Sequence, residues 1–166
     1  SDNDIDLAGW KIASGSQGNE TFNLLLAGVI PAKGYFLLER NDDTTISDIA
    51  AYQIFTQAIG KNYLWLRDKN NRYIDEFYMP LPELGEGKFI KNGQRHSLER
   101  ISAHSFGNLE RNWKLNNGKI VKGMDQAEGQ IYGTPGSQNS VYQLYTYYSA
   151  SFIQDNVMAW MRFVNV

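Results

Sequence analysis

Short apolar runs bounded by turn-forming residues recur along the sequence, and they constrain the fold more than any other feature. Residues 35–39 (YFLLE) follow the turn residues 31–34 (PAKG), and the run is too short for a buried helix. Residues 64–66 and 73–78 flank the polar segment 68–72, which indicates a strand, a turn and a strand. Since such a chain favours many short strands, the sequence predicts an all-β domain.

The same signals predict further hairpins. Residues 7–12 and 21–26 are strand-like and are joined by a loop rich in Ser and Gly. Residues 50–59 partly fit a helical face, but their aromatic and β-branched residues favour an extended strand. Two Asn-Gly pairs, which supply the positive φ angles of tight hairpin turns, lie between strand-like runs: Asn92-Gly93 and Asn117-Gly118. The spacing of these elements is typical of a β-sandwich.

Charge and cysteine content exclude several classes of protein. The chain has 166 residues with 18 acidic and 16 basic side chains, so it is not a charge-driven binder of nucleic acid. The absence of Cys excludes disulfides, thiolate metal sites and a Cys nucleophile. No apolar stretch is long enough to span a bilayer, so we expect no membrane insertion. The 4 Trp, 10 Tyr and 8 Phe are sufficient for one globular core.

Several motifs in a fixed order resemble the landmarks of lamin-tail domains. They are residues 7–12 (LAGWKI), 30–38 (IPAKGYFLL), 64–68 (LWLRD) with 74–75 (ID), 96–101 (HSLERI), Trp113 and 133–139 (GTPGSQN). The resemblance covers roughly residues 1–140 and implies an immunoglobulin-like β-sandwich of the kind found in secreted and surface-attached bacterial proteins. It also implies a domain that is not catalytic by itself.

The resemblance assigns structural roles to individual residues. The motif positions are Gly9, Trp10, Gly34, Asp68, Asp75, Leu98, Glu99, Arg100, Trp113, Thr134, Pro135 and Gly136. The expected core contains Trp10, Leu26, Phe36, Leu38, Leu64, Leu66, Ile74, Leu98, Ile101 and Trp113. Glu99 and Arg100 are expected to form a structural pair inside or across the sheet.

The order of the strands departs from the family. A lamin-tail domain opens with two strands that are missing before the acidic turn at residues 1–6, and similar strands occur in 141–166 instead. Joining Val166 to Ser1 restores an unbroken family sequence, so the order of the strands is circularly permuted relative to the family. We therefore expect two units: residues 1–140, a lamin-tail-like sandwich without its first two strands, and residues 141–166, a C-terminal hairpin that completes a sandwich.

The C-terminal hairpin can complete its own sandwich or that of a neighbour. To complete its own sandwich, the hairpin must be reached from the last strand of the domain through the short connection 138–140. First and last strands that run parallel in one sheet need a longer crossover than this. Completion in trans needs no crossover, and its heterologous contact propagates into a filament unless it closes a ring. The expected interface residues are Val141, Tyr142, Leu144, Tyr145, Tyr147, Tyr148, Phe152, Val157, Trp160, Phe163 and Val166.

Candidate chemistry is sparse. Asp2, Asp4 and Asp6 are expected to form a turn, with a calcium site as the alternative, because the twelve-residue calcium-loop pattern is absent. No other cofactor is expected. His96 and His104 lie near several serines, but no nucleophile-elbow pattern accompanies them, so we expect no enzyme.

The sequence therefore predicts a non-catalytic structural subunit that donates its C-terminal strands to the next copy, head to tail. The chain starts at Ser1 without an initiator Met, so we expect a mature chain whose leader was removed and an extracellular or cell-surface location. The alternative is a monomeric permuted accessory module that binds surface carbohydrate or protein. Its tyrosine-rich tract at 142–148 then forms a carbohydrate-stacking platform.

Overall fold

The computed structural model describes residues 1–16, 19–57, 63–78, 90–91, 93–143, 145–147 and 162–164, with backbone only for 22, 90, 91, 145–147 and 162–164. The described residues form strands and turns, and their only helical element is the 3-10 turn Glu110–Asn112. The predicted all-β class is confirmed.

The described residues contain fourteen short strands. They are β1 (Ile5–Asp6), β2 (Lys11–Ser16), β3 (Asn19–Leu25), β4 (Val29–Ile30), β5 (Leu38–Arg40), β6 (Gln53–Phe55), β7 (Tyr63–Arg67), β8 (Tyr73–Tyr78), β9 (Ile90–Lys91), β10 (Gln94–Arg95), β11 (Leu98–Arg100), β12 (Trp113–Leu115), β13 (Tyr145–Tyr147) and β14 (Arg162–Val164).

A four-stranded antiparallel sheet in the order β3-β2-β7-β8 is the largest element of the fold. The predicted hairpins β2–β3 and β7–β8 supply its four strands, and β2 and β7 pair in the middle. The predicted bounds of the first strand, 7–12, are wrong, because β2 begins at Lys11 and continues through Ser14–Ser16 of the expected loop. The turn between β7 and β8 is held by Asp68, whose Oδ1 accepts hydrogen bonds from the backbone N–H groups of Asn70 and Arg72, both at 2.9 Å. Asn71 completes the turn with a φ of 63°.

The antiparallel pair β11–β12 forms a second layer against the β8 side of this sheet. The ring of Trp113 on β12 lies 4.6 Å from the ring of Phe77 on β8, centroid to centroid. Arg100 on β11 forms an ion pair with Asp75 on β8. An apolar contact and an ion pair therefore join the two layers. The packing of these two layers is consistent with a β-sandwich. The immunoglobulin-like strand order stays a prediction.

Three smaller pairs lie outside these layers, in addition to the C-terminal pair β13–β14. β1 pairs with β4 and β9 with β10, both antiparallel, and Gly93 has the positive φ of 77° expected at that turn. Of the segment 50–59, Gln53–Phe55 are extended as predicted and form β6, which pairs in parallel with β5, and residues 58–59 lie outside the described residues. The predicted strand over 35–39 is wrong in its first half, since the strand begins only at Leu38 and Tyr35 is exposed.

The core agrees in part with the expected one. Leu26 and Ile101 are buried, whereas most of the other predicted core residues are half-buried. Ile74 is wrong as a core residue, with 48% of its surface exposed. The ladder pairs Leu66 with Asp75 and Arg67 with Tyr73, so Ile74 is the extra residue of a β-bulge on an edge strand. Buried apolar residues outside the predicted set are Leu7, Ala13, Ile46 and Trp65.

The second Asn-Gly pair does not form a hairpin. No strand follows β12 directly in the described residues 116–123, and the Asn117 side chain instead accepts hydrogen bonds from the N–H groups of Lys119 and Ile120 at 2.7 and 3.0 Å. Gly118 keeps the expected positive φ of 77°. Asn117 does not share the positive φ that a tight Asn-Gly hairpin turn requires at both positions, so the dipeptide predicts only the angle of its glycine. Among the described residues, no helix has the length and apolar character needed to cross a membrane.

Candidate functional site

A buried carboxylate on β11 joins the C-terminal part of the described chain to the sandwich. Glu99 is only 3% exposed. Its Oε1 accepts hydrogen bonds from Asn116 Nδ2 and Thr134 Oγ1, both at 2.8 Å, and from Ser97 Oγ at 3.3 Å. Its Oε2 accepts bonds from the N–H and Oγ of Ser140, at 2.8 and 2.6 Å. These partners place neutral donors around a single negative charge.

Two opposing effects set the pKa of Glu99. Burial by itself raises the pKa, but the hydrogen bonds from Ser140, Asn116 and Thr134 lower it, and the net result is a pKa below the ordinary value of 4.5. The carboxylate is therefore ionised at neutral pH. Its role in the fold is to hold residues 134–140 against β11.

Hydrogen bonds also hold Asn139 and Gln143, on either side of Ser140, to the end of β11 and the residue that follows it. Asn139 Nδ2 donates to the Arg100 carbonyl and the Gln143 N–H donates to the Ile101 carbonyl, each at 2.9 Å. Residues 133–139 form a turn, with the Ser137 N–H 3.1 Å from the Thr134 carbonyl, and not the last strand that the resemblance implies near Thr134. The root of the C-terminal segment is therefore anchored beside β11.

The predicted C-terminal hairpin forms beyond this root. β13 and β14 pair antiparallel, with Tyr145 opposite Val164 and Tyr147 opposite Arg162. Of the predicted interface residues, Val141 and Tyr142 are half-buried in their own chain. Tyr145, Tyr147 and Phe163 are described by backbone only, and those outside the described residues are Leu144, Tyr148, Phe152, Val157, Trp160 and Val166.

An apolar groove opens on one face of the central sheet. Its floor is formed by Ile12 on β2 with Leu64 and Leu66 on β7, and all three side chains are half-buried. Phe77 and Trp113 form its wall, and the cavity volume is about 190 Å³. The groove therefore exposes the middle of the sheet at the point where the second layer ends.

The edge of the groove carries the ion pair that joins the two layers. Arg100 pairs with Asp75, donates from Nε to the Ser102 carbonyl at 3.2 Å and lies 6.0 Å from the centroid of the Trp113 ring. The expected pairing of Glu99 with Arg100 is wrong, because neighbouring residues of a strand point to opposite faces. Each of the two side chains therefore binds partners on its own face of β11.

The remaining motif residues have local structural roles. Gly9 has a φ of 80°, and a Cβ at Gly34 would lie 2.9 Å from the Pro31 carbonyl oxygen, so both positions favour glycine. The Trp10 carbonyl accepts a bond from the Leu26 N–H at 2.9 Å. Leu98 pairs with Leu115. The half-buried Pro135 is followed by Gly136, whose carbonyl accepts a bond from Lys122 Nζ at 3.2 Å.

The pKa of Asp68, another motif residue, is also shifted. Burial alone raises this pKa, but hydrogen bonds from the backbone and side chain of Arg72 and from the Asn70 backbone lower it, and the charge of Arg72 adds to the effect. Asp68 therefore stabilises the β7–β8 turn as a carboxylate.

The acidic turn at the start of the chain separates its three carboxylates. Asp6 Oδ1 accepts a bond from the Ala8 N–H at 2.9 Å, Asp4 Oδ1 accepts one from Ala32 at 2.7 Å, and Asp2 lies 3.4 Å from Lys33 Nζ. Within the part of the chain that the structure describes, no three metal-ligating side chains form a group. The Asp6 contact is that of a turn, whereas Asp4 and Asp2 contact Ala32 and Lys33 in the segment that follows β4.

The two histidines lie in different environments. His96 is buried, with Nδ1 2.9 Å from the Asn116 carbonyl oxygen and its ring 4.7 Å from that of Tyr132, whereas His104 is exposed. A polar cleft of about 650 Å³ borders His96 and Tyr132 and also Arg95 and Asp125. The cleft provides both hydrogen-bonding groups and an aromatic ring.

The polar residues that organise this region were not predicted from the sequence. Asn116 and Asn112 are almost completely buried, and Asn112 Oδ1 accepts a bond from the Ser102 N–H at 2.9 Å. Both flank β12, where an Asn signals a turn, and this position is the one hint the sequence offers. Ser140 carries no motif of its own. Asn116 binds the Glu99 carboxylate and Asn112 binds the Ser102 backbone, and only the fold brings these partners together.

Comparison with known proteins finds no matching family model, no matching curated protein and no matching solved structure. The resemblance to lamin-tail domains therefore stays a prediction based on the ordered motifs.

Proposed function

We propose that the chain is a non-catalytic, extracellular structural subunit that assembles head to tail into a filament. In this assembly the hairpin β13–β14 of one copy completes the sandwich of the next. The observation that carries the proposal is the pairing of β13 with β14 in a sheet to which no other described strand contributes. Isolated two-stranded hairpins are marginally stable in water, so this hairpin needs a further surface.

Two features of the chain support an assembly in trans. The root of the hairpin is anchored beside β11 through Glu99 and Ser140, so the hairpin leaves from a defined point. The sequence of 141–166 is rich in aromatic and aliphatic residues and has two charged residues, Asp155 and Arg162. A donor of this composition buries apolar surface and needs little charge compensation.

The test compares two aromatic-to-acid substitutions in the full chain. Phe163→Asp in β14 should abolish filaments, because it places a carboxylate in the proposed interface. Phe106→Asp is the matched control, since Phe106 is 75% exposed and lies outside the hairpin, and it should leave assembly unchanged. Light scattering and negative-stain electron microscopy measure assembly, and circular dichroism checks the fold. Wild-type protein that stays monomeric at high concentration contradicts the proposal.

The polar cleft beside His96 favours a second candidate function, that of an accessory module for surface carbohydrate. Sugar sites combine hydrogen-bonding groups with an aromatic ring, and the cleft has Arg95, Asp125 and Tyr132. Glycan arrays with the wild-type chain and with Tyr132→Ala test this function. Binding that Tyr132→Ala abolishes, from a monomeric protein, favours the accessory module over the filament subunit.

A further inference from the structure

The imidazole of His96 has one nitrogen that is bound and one that is not. Its Nδ1 lies 2.9 Å from the Asn116 carbonyl oxygen, and a carbonyl oxygen can only accept, so Nδ1 carries the proton of the neutral ring. The other nitrogen, Nε2, is then a bare acceptor. No described residue donates to Nε2, although His96 is only 5% exposed.

The unbound nitrogen opens onto the polar cleft. Among the described residues that are not exposed, Arg67 Nε is the single enclosed side-chain atom without a hydrogen-bond partner. His96 Nε2 also lacks a partner, so it is not enclosed, and the cleft is the space that His96 borders. The Ser97 N–H donates to the Tyr132 carbonyl at 2.8 Å, which fixes the two neighbouring rings of His96 and Tyr132 at the cleft.

The carboxylate of Asp125 adds a second acceptor to the same cleft. Its Oδ1 accepts hydrogen bonds from the N–H groups of Ala127 and Gly129, at 2.9 and 2.8 Å, and these bonds orient the side chain. Its Oδ2 accepts no bond from a described residue. A Cβ added to Gly129, which borders the cleft, would lie 2.8 Å from Oδ2. This oxygen is therefore at the wall of the cleft.

The charges around the cleft do not favour an ionic ligand. Arg95 and Asp125 both border it, and neither belongs to an ion pair among the described residues. Their charges are opposite, so the cleft has no net charge that would select an anion or a cation. Its two oriented acceptors instead require a ligand with two donors.

We propose that the cleft binds an uncharged sugar residue, which donates one hydroxyl proton to His96 Nε2 and another to Asp125 Oδ2 and packs against Tyr132. The inference rests on the second candidate function and adds the chemistry of the ligand and the residues that select it. A pyranose ring combines hydroxyl donors at its edge with an apolar face of C–H groups. The cleft volume of about 650 Å³ is within the range of roughly 300–1,000 Å³ found for small-molecule sites.

NMR of the histidine side chains in the full chain provides the first measurement. Long-range proton–nitrogen correlation should show His96 with its proton on Nδ1, and the Nε2 signal should shift when a sugar is added. The probes are the methyl glycosides of glucose, galactose and mannose, and the methyl glycoside of glucuronate is the acidic comparison. His104, which is exposed and does not border the cleft, should not shift.

Substitution of the two acceptors provides the second measurement. His96→Asn keeps an amide N–H in the place of Nδ1 and removes Nε2, so it should weaken binding of the responding sugar roughly 5- to 10-fold. His104→Asn is the matched control and should bind as wild type does. Circular dichroism checks the fold, and Asp125→Asn, at an exposed position, replaces His96→Asn if that variant does not fold.

Monofluorinated analogues of the responding sugar separate a direct contact from an effect on the fold. Each analogue has fluorine in place of one hydroxyl and so lacks one donor. The analogue without the hydroxyl that binds His96 should bind wild type roughly 5- to 10-fold more weakly, and its binding should not weaken further in His96→Asn.

Each other result overturns the inference. A His96 ring with its proton on Nε2 overturns the assigned acceptor, and losses that simply add for every analogue show that His96 acts through the fold. Glucuronate that binds more tightly than every neutral sugar gives the main role to Arg95 and overturns the uncharged ligand, while the candidate carbohydrate function stands. No response to any of the four sugars overturns both this inference and the carbohydrate function.

Discussion

Glu99 illustrates how one buried carboxylate orders a long stretch of chain. Residues 134–140 contain no strand, and their position depends on hydrogen bonds from Thr134 and Ser140 to this side chain. Hydrogen bonds to an ionised acceptor are stronger than neutral ones, particularly where water is excluded. A negative charge surrounded by neutral donors thus replaces the strand pairing that this segment lacks.

Replacing Glu99 by Gln should destabilise the protein by about 2–3 kcal/mol at pH 7. The neutral amide forms weaker hydrogen bonds than the carboxylate, and its NH₂ group faces partners that are themselves donors. The folded pKa of Glu99 lies below its ordinary value of 4.5. Its contribution is therefore complete above that pH and is lost as the pH falls through the folded pKa.

Urea unfolding from pH 7 to pH 3 measures this difference. The gap in unfolding free energy between wild type and Glu99→Gln should be constant down to about pH 5 and should narrow below the ordinary value of 4.5. Glu128→Gln, at an exposed position, should match wild type throughout. A gap that widens on acidification contradicts the assigned role of Glu99.

At the scale of elements, β6 stabilises the connection between β3 and β4 through a single side chain. Gln53 Nε2 donates to the Leu25 carbonyl at 2.8 Å, and its Oε1 accepts a bond from the Ala27 N–H at 3.1 Å. The amide thus pairs with two backbone groups as a neighbouring strand would. This contact joins the parallel pair β5–β6 to the central sheet.

Gln53→Ala should destabilise the protein by about 1–2 kcal/mol, the cost of two neutral hydrogen bonds, one of each polarity. Gln94→Ala is the matched control, because Gln94 is exposed on β10 and should cost less than about 0.5 kcal/mol. Thermal unfolding monitored by circular dichroism measures both. Equal effects of the two substitutions contradict a bridging role for Gln53.

At the scale of the whole molecule, the ion pair between Asp75 and Arg100 joins the central sheet to the layer of β11 and β12. The contact of Phe77 with Trp113 lies beside it, so polar and apolar contributions act on the same junction. The pair is partly buried, whereas the pair of Asp2 and Lys33 is exposed. The coupling free energy of a partly buried ion pair can therefore be compared with that of an exposed ion pair in the same protein.

A double-mutant cycle with Asp75→Asn and Arg100→Gln should give a coupling free energy of about 1–2 kcal/mol, as found for contacting residues with shared partners. The same cycle with Asp2→Asn and Lys33→Gln should give a coupling close to zero, because water screens the exposed pair. Chemical denaturation provides the four free energies of each cycle. Equal coupling in the two cycles contradicts the role of Arg100 at the layer junction.

The sequence by itself determined the elements that depend on local geometry. Alternating apolar strands and their turns predicted β2–β3 and β7–β8, because strand periodicity and positive φ angles are properties of neighbouring residues. The strands in residues 141–166 were predicted largely from the resemblance to lamin-tail domains, and β13 pairs with β14 in this segment.

The tertiary structure alone decided which polar side chains are buried and which residues meet across the sheets. Glu99 and Arg100 are adjacent in the sequence, but strand alternation directs them to opposite faces, where Glu99 binds Ser140, 41 residues away, and Arg100 binds Asp75, 25 residues away. The bulge that exposes Ile74 depends on the register between β7 and β8. Contacts between residues so far apart in the sequence arise from packing of the whole domain, and a local pattern of residues therefore does not predict them.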